Sequence, residues 1–235
     1  MSAKRDGLVL MRGGDGRDPN LPQVPTAIVA QEAYRMLHRL VVGGSAQRME
    51  LSLGGTFSPK PVTATNVVAD LPGTDKADEV VILGGHFDSW DLATGTMDNG
   101  TGALMAVEVL RAIRACGLKP RRTLRVVLWT GEEQGLLGAR AHVAATDLAK
   151  VQAVLNQDTG SGWMKGLNLW GREDLRPVMA SVLAQVHDLG IKDLPLGNRR
   201  LGYSDHAPYG WAGVPSFVAM LASMDYGGIY HATTD

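Results

Sequence analysis

The sequence predicts an α/β fold, a three-layer α/β/α sandwich around a mixed, largely parallel central sheet. Three observations lead there. Continuous apolar runs such as "VVILGG" (80–85) and "VQAVLN" (151–156) read as strands covered on both faces rather than one. They alternate with stretches of helical pattern, the order that builds parallel sheets through crossover connections. Glycine makes up 29 of 235 residues, well above the roughly 7% of average usage, which points to many tight turns and close backbone approaches.

Taken in chain order, "RGGDGRDPNLPQVP" (12–25) reads as loop. "TAIVAQEAYRMLHRLVVGG" (26–44) reads as a short strand and then an amphipathic helix ended by Gly43 and Gly44. "RMELSLGG" (48–55) alternates like a half-buried strand, and 59–79 gives a proline-broken approach, a strand and a polar turn. From Val80 the character changes. The strand "VVILGG" is followed by "GALMAVEVLRAIRACG", a helix apolar almost all round and closed by Gly117. "RTLRVVLWTGEE" is the next strand, "QGLLGARAHVAAT" a helix, and "VQAVLNQDTG" a third strand. Then come "LNLWG" as strand, "DLRPVMASVLAQVHDLG" as amphipathic helix, and "GVPSFVAML" as another buried strand.

Composition removes several function classes. A formal charge of -1 gives no long-range field to recruit nucleic acid or an anionic membrane. One cysteine, Cys116, excludes an internal disulfide and a cysteine-rich zinc module, and its thiol is expected to be buried and inert. No run of eighteen apolar residues stands in the sequence, and "MSAKRDGLVLMRGGDG" lacks the features of a signal peptide. Both ends are abrupt, so the chain reads as a fragment.

The function is therefore sought in a local site. In open α/β sheets ligands bind beyond the carboxyl ends of the strands, and here those ends bear acids and histidines. They are His86 and Asp88, Asp98 ten residues on, the pair Glu132-Glu133, Asp158, and His231 in "IYHATTD". Acids gathered this way repel one another unless a cation sits among them. Imidazole and carboxylate without thiolate suit catalytic zinc, with manganese or cobalt as less selective options. Asp88, two residues from His86 on an extended chain, is placed to bond the imidazole nitrogen that does not hold metal. Of the two glutamates one is read as ligand and the other as general base. Five ligand side chains exceed what one catalytic zinc takes, which points to two ions bridged by a carboxylate. His38, His142 and His187 read as structural or surface residues, and Trp90, Trp163, Trp170 and Trp211 as core packing.

At this point the chain resembles the M28 family of metallopeptidases, within it the branch around carboxypeptidase Q. The resemblance rests on "GGHFDSWD", "GTMDNGTGALMAVEVLRAI", "RTLRVVLWTGEEQGLLGA", "NQDTG", "YSDHAPYGWAGVPSF" and "YHATTD", in that order over Val67 to Asp235. It implies a zinc-exopeptidase fold in which His86 and Asp158 bind one Zn2+, Glu133 and His231 another, and Asp98 bridges them. Glu132 would be the general base, Asp88 would orient His86, and the Asp98–Asn99 peptide would be cis. Tyr230 would help polarise the scissile carbonyl, and Asp205 and His206 would line or orient the pocket. The activity implied is hydrolysis of dipeptides or short peptides at a free terminus. A one-zinc acyltransferase resembling glutaminyl cyclases and a non-catalytic binding fragment stand as alternatives. Residues 1–60 resemble the remnant of a protease-associated insert with its linker, and 61–235 a catalytic domain truncated at its C-terminus. Relatives are often secreted or periplasmic, while localisation and oligomeric state, a homodimer included, stay open.

Overall fold

The computed structural model describes residues 6–11, 27–54, 58–189, 196–197, 199–222, 224 and 226–235. The loop expected at 12–25 lies outside them. The chain divides into two compact units, one made of Ala64–Ser89 with Gly95–Tyr226, the other of Met1–Thr63, Trp90–Thr94 and Gly227–Asp235.

The larger unit is built on a seven-stranded sheet. Its strands are β1 (Val67–Leu71), β2 (Lys76–His86), β3 (Arg122–Trp129), β4 (Val151–Asn156), β5 (Met164–Asn168), β6 (Leu196–Gly197) and β7 (Ser216–Leu221), in the spatial order β1-β3-β2-β4-β7-β5-β6. β3, β2, β4 and β7 run parallel, whereas β1 lies antiparallel to β3 and β5 antiparallel to β7, so the sheet is mixed and largely parallel. Side chains alternate between faces along each strand. Ile82, Val127, Trp129 and Val154 share one face and pack under Ala139 of the helix Leu137–Ala145 and Tyr209 of the helix His206–Trp211. Ala153, Leu155 and Phe217 face the other way, against Met179 of the helix Arg176–Ala184. On that second face Gly85 lets the helix Thr101–Ala115 approach: a Cβ on Gly85 would stand 2.9 Å from both Asn99 Nδ2 and the main chain of Gly102. We number these helices with Gln31–Val42 in chain order, α1 (31–42), α2 (101–115), α3 (137–145), α4 (176–184) and α5 (206–211).

Register fixes where the strand ends fall. His86 pairs with Trp129 and Gly84 with Asn156, so β2, β3 and β4 finish side by side, and the residues that follow each of them share one edge.

Several expectations are corrected. "LNLWG" is strand only in its first two residues: β5 runs from Met164 to Asn168, whose Oδ1 accepts a hydrogen bond from Trp170 N at 2.9 Å as the strand ends. The alternating "RMELSLGG" is exposed and irregular over its described residues 48–54, because alternation makes a strand only when one face has something to cover it. The segment 27–30 is no strand either. The helix expected from Gln134 starts at Leu137, after a turn in which Gly135 N and Leu136 N both donate to Glu132 O. The apolar α2 buries only Gly102, Ala103 and Ala106, and leaves Leu104 72% exposed. Cys116 is exposed, since it caps the solvent end of α2. Of the four tryptophans expected in the core Trp170 is buried, but Trp163 and Trp211 are exposed, Trp211 under the Arg140 guanidinium. Trp129 fills the core instead and donates from Nε1 to Tyr209 Oη at 3.3 Å.

In the smaller unit α1 has no buried residue; Gly43 N donates back to Arg39 O, and Arg35 pairs with Asp6 at 3.1 Å. Leu10 bridges Ala232, Met11 N donates to His231 O at 2.6 Å, and Thr94 donates twice to Asp235 O. His231 stacks on Tyr230 with ring centres 3.7 Å apart and meets the edge of Trp90 at 5.8 Å. No helix among the described residues is long and apolar enough to cross a membrane.

Candidate metal centre

The last residue of β2, His86, is fully buried, and its two ring nitrogens have different partners. Nδ1 lies 2.9 Å from the main-chain oxygen of Asp88, while Nε2 stands 3.1 Å from Asp98 Oδ1 and 3.4 Å from Asp158 Oδ1. With Nδ1–H donating to the carbonyl, Nε2 is the nitrogen turned toward the carboxylates, and its lone pair is what a cation would meet once the proton there is displaced. The expected role of the Asp88 carboxylate is thus taken by its carbonyl. The carboxylate stands 3.6 Å from Nδ1, too far for a hydrogen bond, and instead accepts from Glu132 N at 3.1 Å and Glu133 N at 3.3 Å.

Asp98 arrives from the short turn Thr96–Gly100 that leads into α2, and its peptide bond to Asn99 is cis. Asn99, which the sequence reading passed over, ties this turn to the sheet: Nδ2 donates to Gln157 O at 2.8 Å and Oδ1 accepts from Gly102 N at 3.0 Å. Its only sequence signal is adjacency to Asp98 in "MDNG". Glu132 and Glu133 stand on the loop after β3, and Asp158 follows β4. His86, Asp98 and Glu133 each offer one ligand atom, and those atoms lie within 4.8 Å of one another.

Burial and charge set the protonation of this cluster. Burial opposes charge on His86, but the carboxylates of Asp158, Asp88 and Asp98 outweigh it and raise its pKa well above the usual range. Glu132 is pushed up to about 10, first by burial and next by the Asp158 charge, with His86 pulling the other way. Asp205, fully buried, is raised well above the ordinary carboxyl range by burial and by Asp158, Asp88 and Glu133, against His86. Burial works against ionisation of Asp88 too, yet its pKa is lowered by His86 and by the two amides it accepts from.

The metal-free cluster therefore retains protons, and a divalent cation is the group that would displace them. The donor chemistry fits zinc: one imidazole nitrogen turned toward several carboxylates, with His86, Asp98 and Asp158 buried and Glu133 partly buried. Oxygen and nitrogen ligands about 2.0–2.2 Å from one zinc stand roughly 3–3.5 Å apart, and His86 Nε2 stands 3.1 Å from Asp98 Oδ1 and 3.4 Å from Asp158 Oδ1.

The other expected site residues are placed differently. His206 is buried against Trp170 and Tyr203, and burial lowers its pKa to about 4. His231 and Tyr230 belong to the smaller unit, where they stack on each other. His142, expected to be structural, lies 2.7 Å from Tyr209 Oη.

Comparison with known proteins adds four findings. The sequence pattern of peptidase family M28 matches residues 66–235. Carboxypeptidase Q from Xenopus laevis is 35% identical over 177 residues, covering 74% of this chain and 38% of that protein, so the chain spans little more than a third of that relative. A peptidase M28 precursor from Shewanella amazonensis superposes with a TM-score of 0.77 and 25% identity, over 92% of this chain and 49% of that one. A zinc aminopeptidase from Bacillus subtilis shares the fold, with a TM-score of 0.59 and 23% identity over 72% of this chain and 43% of its own.

Proposed function

The chain belongs to peptidase family M28, and from that premise we propose that it is the core of a zinc-dependent exopeptidase acting on dipeptides or short peptides. The observation behind this reading is the cluster of buried His86 and Asp98 with partly buried Glu133, in which the Asp88 carbonyl holds His86 Nδ1 and leaves Nε2 to the carboxylates. We assign His86 and Asp158 to one zinc ion, Glu133 and His231 to a second, and Asp98 to both; His231 enters on its motif alone. Bound zinc would act as a Lewis acid on the scissile carbonyl and acidify the attacking water. Glu132 takes the proton from that water and returns it to the leaving amine. Asp88 keeps His86 in one tautomer through its carbonyl and holds the amides of Glu132 and Glu133 through its carboxylate. Tyr230, Asp205 and His206 are assigned to the substrate side of the site on motif resemblance. Residues 1–60 are assigned to an insert remnant and linker, and 61–235 to the catalytic domain.

The test is zinc per chain by elemental analysis, before and after chelation, with dipeptide hydrolysis followed in parallel. The expected result is close to two ions, with activity lost on chelation and restored by zinc. One ion would favour the cyclase-like acyl transfer. A folded protein that takes up none would favour a non-catalytic module.

A further inference from the structure

The loop that bears Glu132 and Glu133 runs from the end of β3 to the start of α3, and a single side chain holds its two ends. Asn66, immediately before the edge strand β1, accepts from Thr130 N through Oδ1 at 3.1 Å and donates from Nδ2 to Gly138 O at 2.9 Å. Gly138 N in turn donates to Thr130 O at 2.8 Å, so the loop closes on itself beside the carboxamide. An amide suits this place because it presents one acceptor and one donor side by side. Gly138 suits it because a Cβ there would run into Asn66 Oδ1 and the main chain of Thr130. Within the loop, Leu137 N donates to Gly131 O at 3.0 Å and Leu136 N to Glu132 O at 2.9 Å, while Asp88 grips the two glutamate amides. The segment is thus fixed at its ends by Asn66 and in its middle by Asp88.

We propose that Asn66 is a positioning residue for the Glu132-Glu133 pair. It touches neither the cation nor the substrate. It sets the height of the loop above the sheet, and with it the distance of Glu133 from His86 and Asp98 and the direction of the Glu132 carboxyl. This inference rests on the metallopeptidase reading above. A residue that merely pinned β1 to the sheet would affect stability alone; one that positions the loop must also affect zinc affinity and turnover per folded molecule.

The test compares four proteins: the unaltered chain, Asn66→Ala, the near-isosteric Asn66→Asp, and Met179→Ala, a packing substitution on α4 across the opposite face of the sheet from the loop. Zinc affinity is read by competition with a chromophoric chelator, kcat and KM on leucyl-alanine, and folded fraction by circular dichroism. Asn66→Ala is expected to weaken zinc binding about 10-fold or more, the range for outer partners of metal ligands, and to lower kcat with KM little changed. Asn66→Asp keeps the acceptor but sets a carboxylate against Gly138 O, so it should fail to restore either property. Met179→Ala should lose thermal stability yet keep both. If the Asn66 variants match the unaltered chain in zinc affinity and kcat per folded molecule, the inference is overturned, and Asn66→Asp alone decides it should Asn66→Ala not fold. An unaltered chain that binds no zinc would overturn the metallopeptidase reading and this inference with it.

Discussion

His86 shows what a residue does when its two polar atoms are given different partners. Its Nδ1 is committed to the Asp88 carbonyl and its Nε2 faces Asp98 and Asp158, so the ring's orientation, and which nitrogen is left for a cation, are set by the fold. The residue identities of this cluster were legible in the sequence, but the wiring was not. Two residues apart on an extended chain, Asp88 was read as offering its carboxylate to His86. The turn after β2 brings the carbonyl closer and frees the carboxylate for the amides of the glutamate pair. Glu132 is where chemistry can be tested on one atom. Glu132→Gln keeps the shape but removes the base, so turnover is expected to fall by about 10²–10⁴, while zinc per chain stays unchanged by elemental analysis. Full activity in a preparation free of other peptidases would remove Glu132 from that role.

At the scale of elements, the site depends on close approaches as much as on ligands. β2 must pass near the start of α2 for Asn99 to reach Gln157 O, and Gly85 is what makes room. Gly85→Ala would push a methyl group against Asn99 and Gly102. The expected outcome is a loss of about 1–3 kcal/mol by overpacking, seen as a lower unfolding midpoint, together with weaker zinc binding because the Asp98 turn shifts. Unchanged zinc affinity in a destabilised variant would show that the turn is held by other contacts. The strands β2, β3, β4 and β7 were readable because each is a continuous apolar run with glycine or a polar residue at its end. Segment 48–54 misled because local alternation does not say whether a partner strand exists, and the strand expected at 167–171 was misplaced because local apolarity does not fix where a strand ends. For "LNLWG" the side chain of Asn168 ends the strand.

For the whole molecule, the protons held by the site link stability to pH. In the metal-free fold Glu132 is raised from 4.5 to about 10, and His86 and Asp205 are also raised. Above the unfolded-state value of each group the folded chain binds more protons than the unfolded one. Stability of the metal-free protein is therefore expected to fall as pH rises from the ordinary glutamate range toward about 10, by up to about 1.4 kcal/mol per pH unit for each retained proton. Denaturant midpoints in chelator between about pH 6 and about pH 9 would measure this. Saturating zinc, which displaces the protons, should flatten the dependence. A flat profile without metal would mean that the site is already ionised.

The sequence by itself determined the α/β/α class, the run of parallel strands, and the candidates His86, Asp98, Glu133 and Asp158 that follow the strand ends, because those depend on local patterns of apolar residues and on what must follow a buried strand. Only the tertiary structure decided which oxygen of Asp88 meets His86, that Asn99 and Asn66 tie the site's loops to the sheet, and where α3 begins. The first is a choice between atoms of one residue, the Asn99 and Asn66 ties join residues 58 to 72 positions apart, and the start of α3 depends on the turn that the Asn66 tie closes. Such choices are settled by register and packing density, which no local pattern encodes.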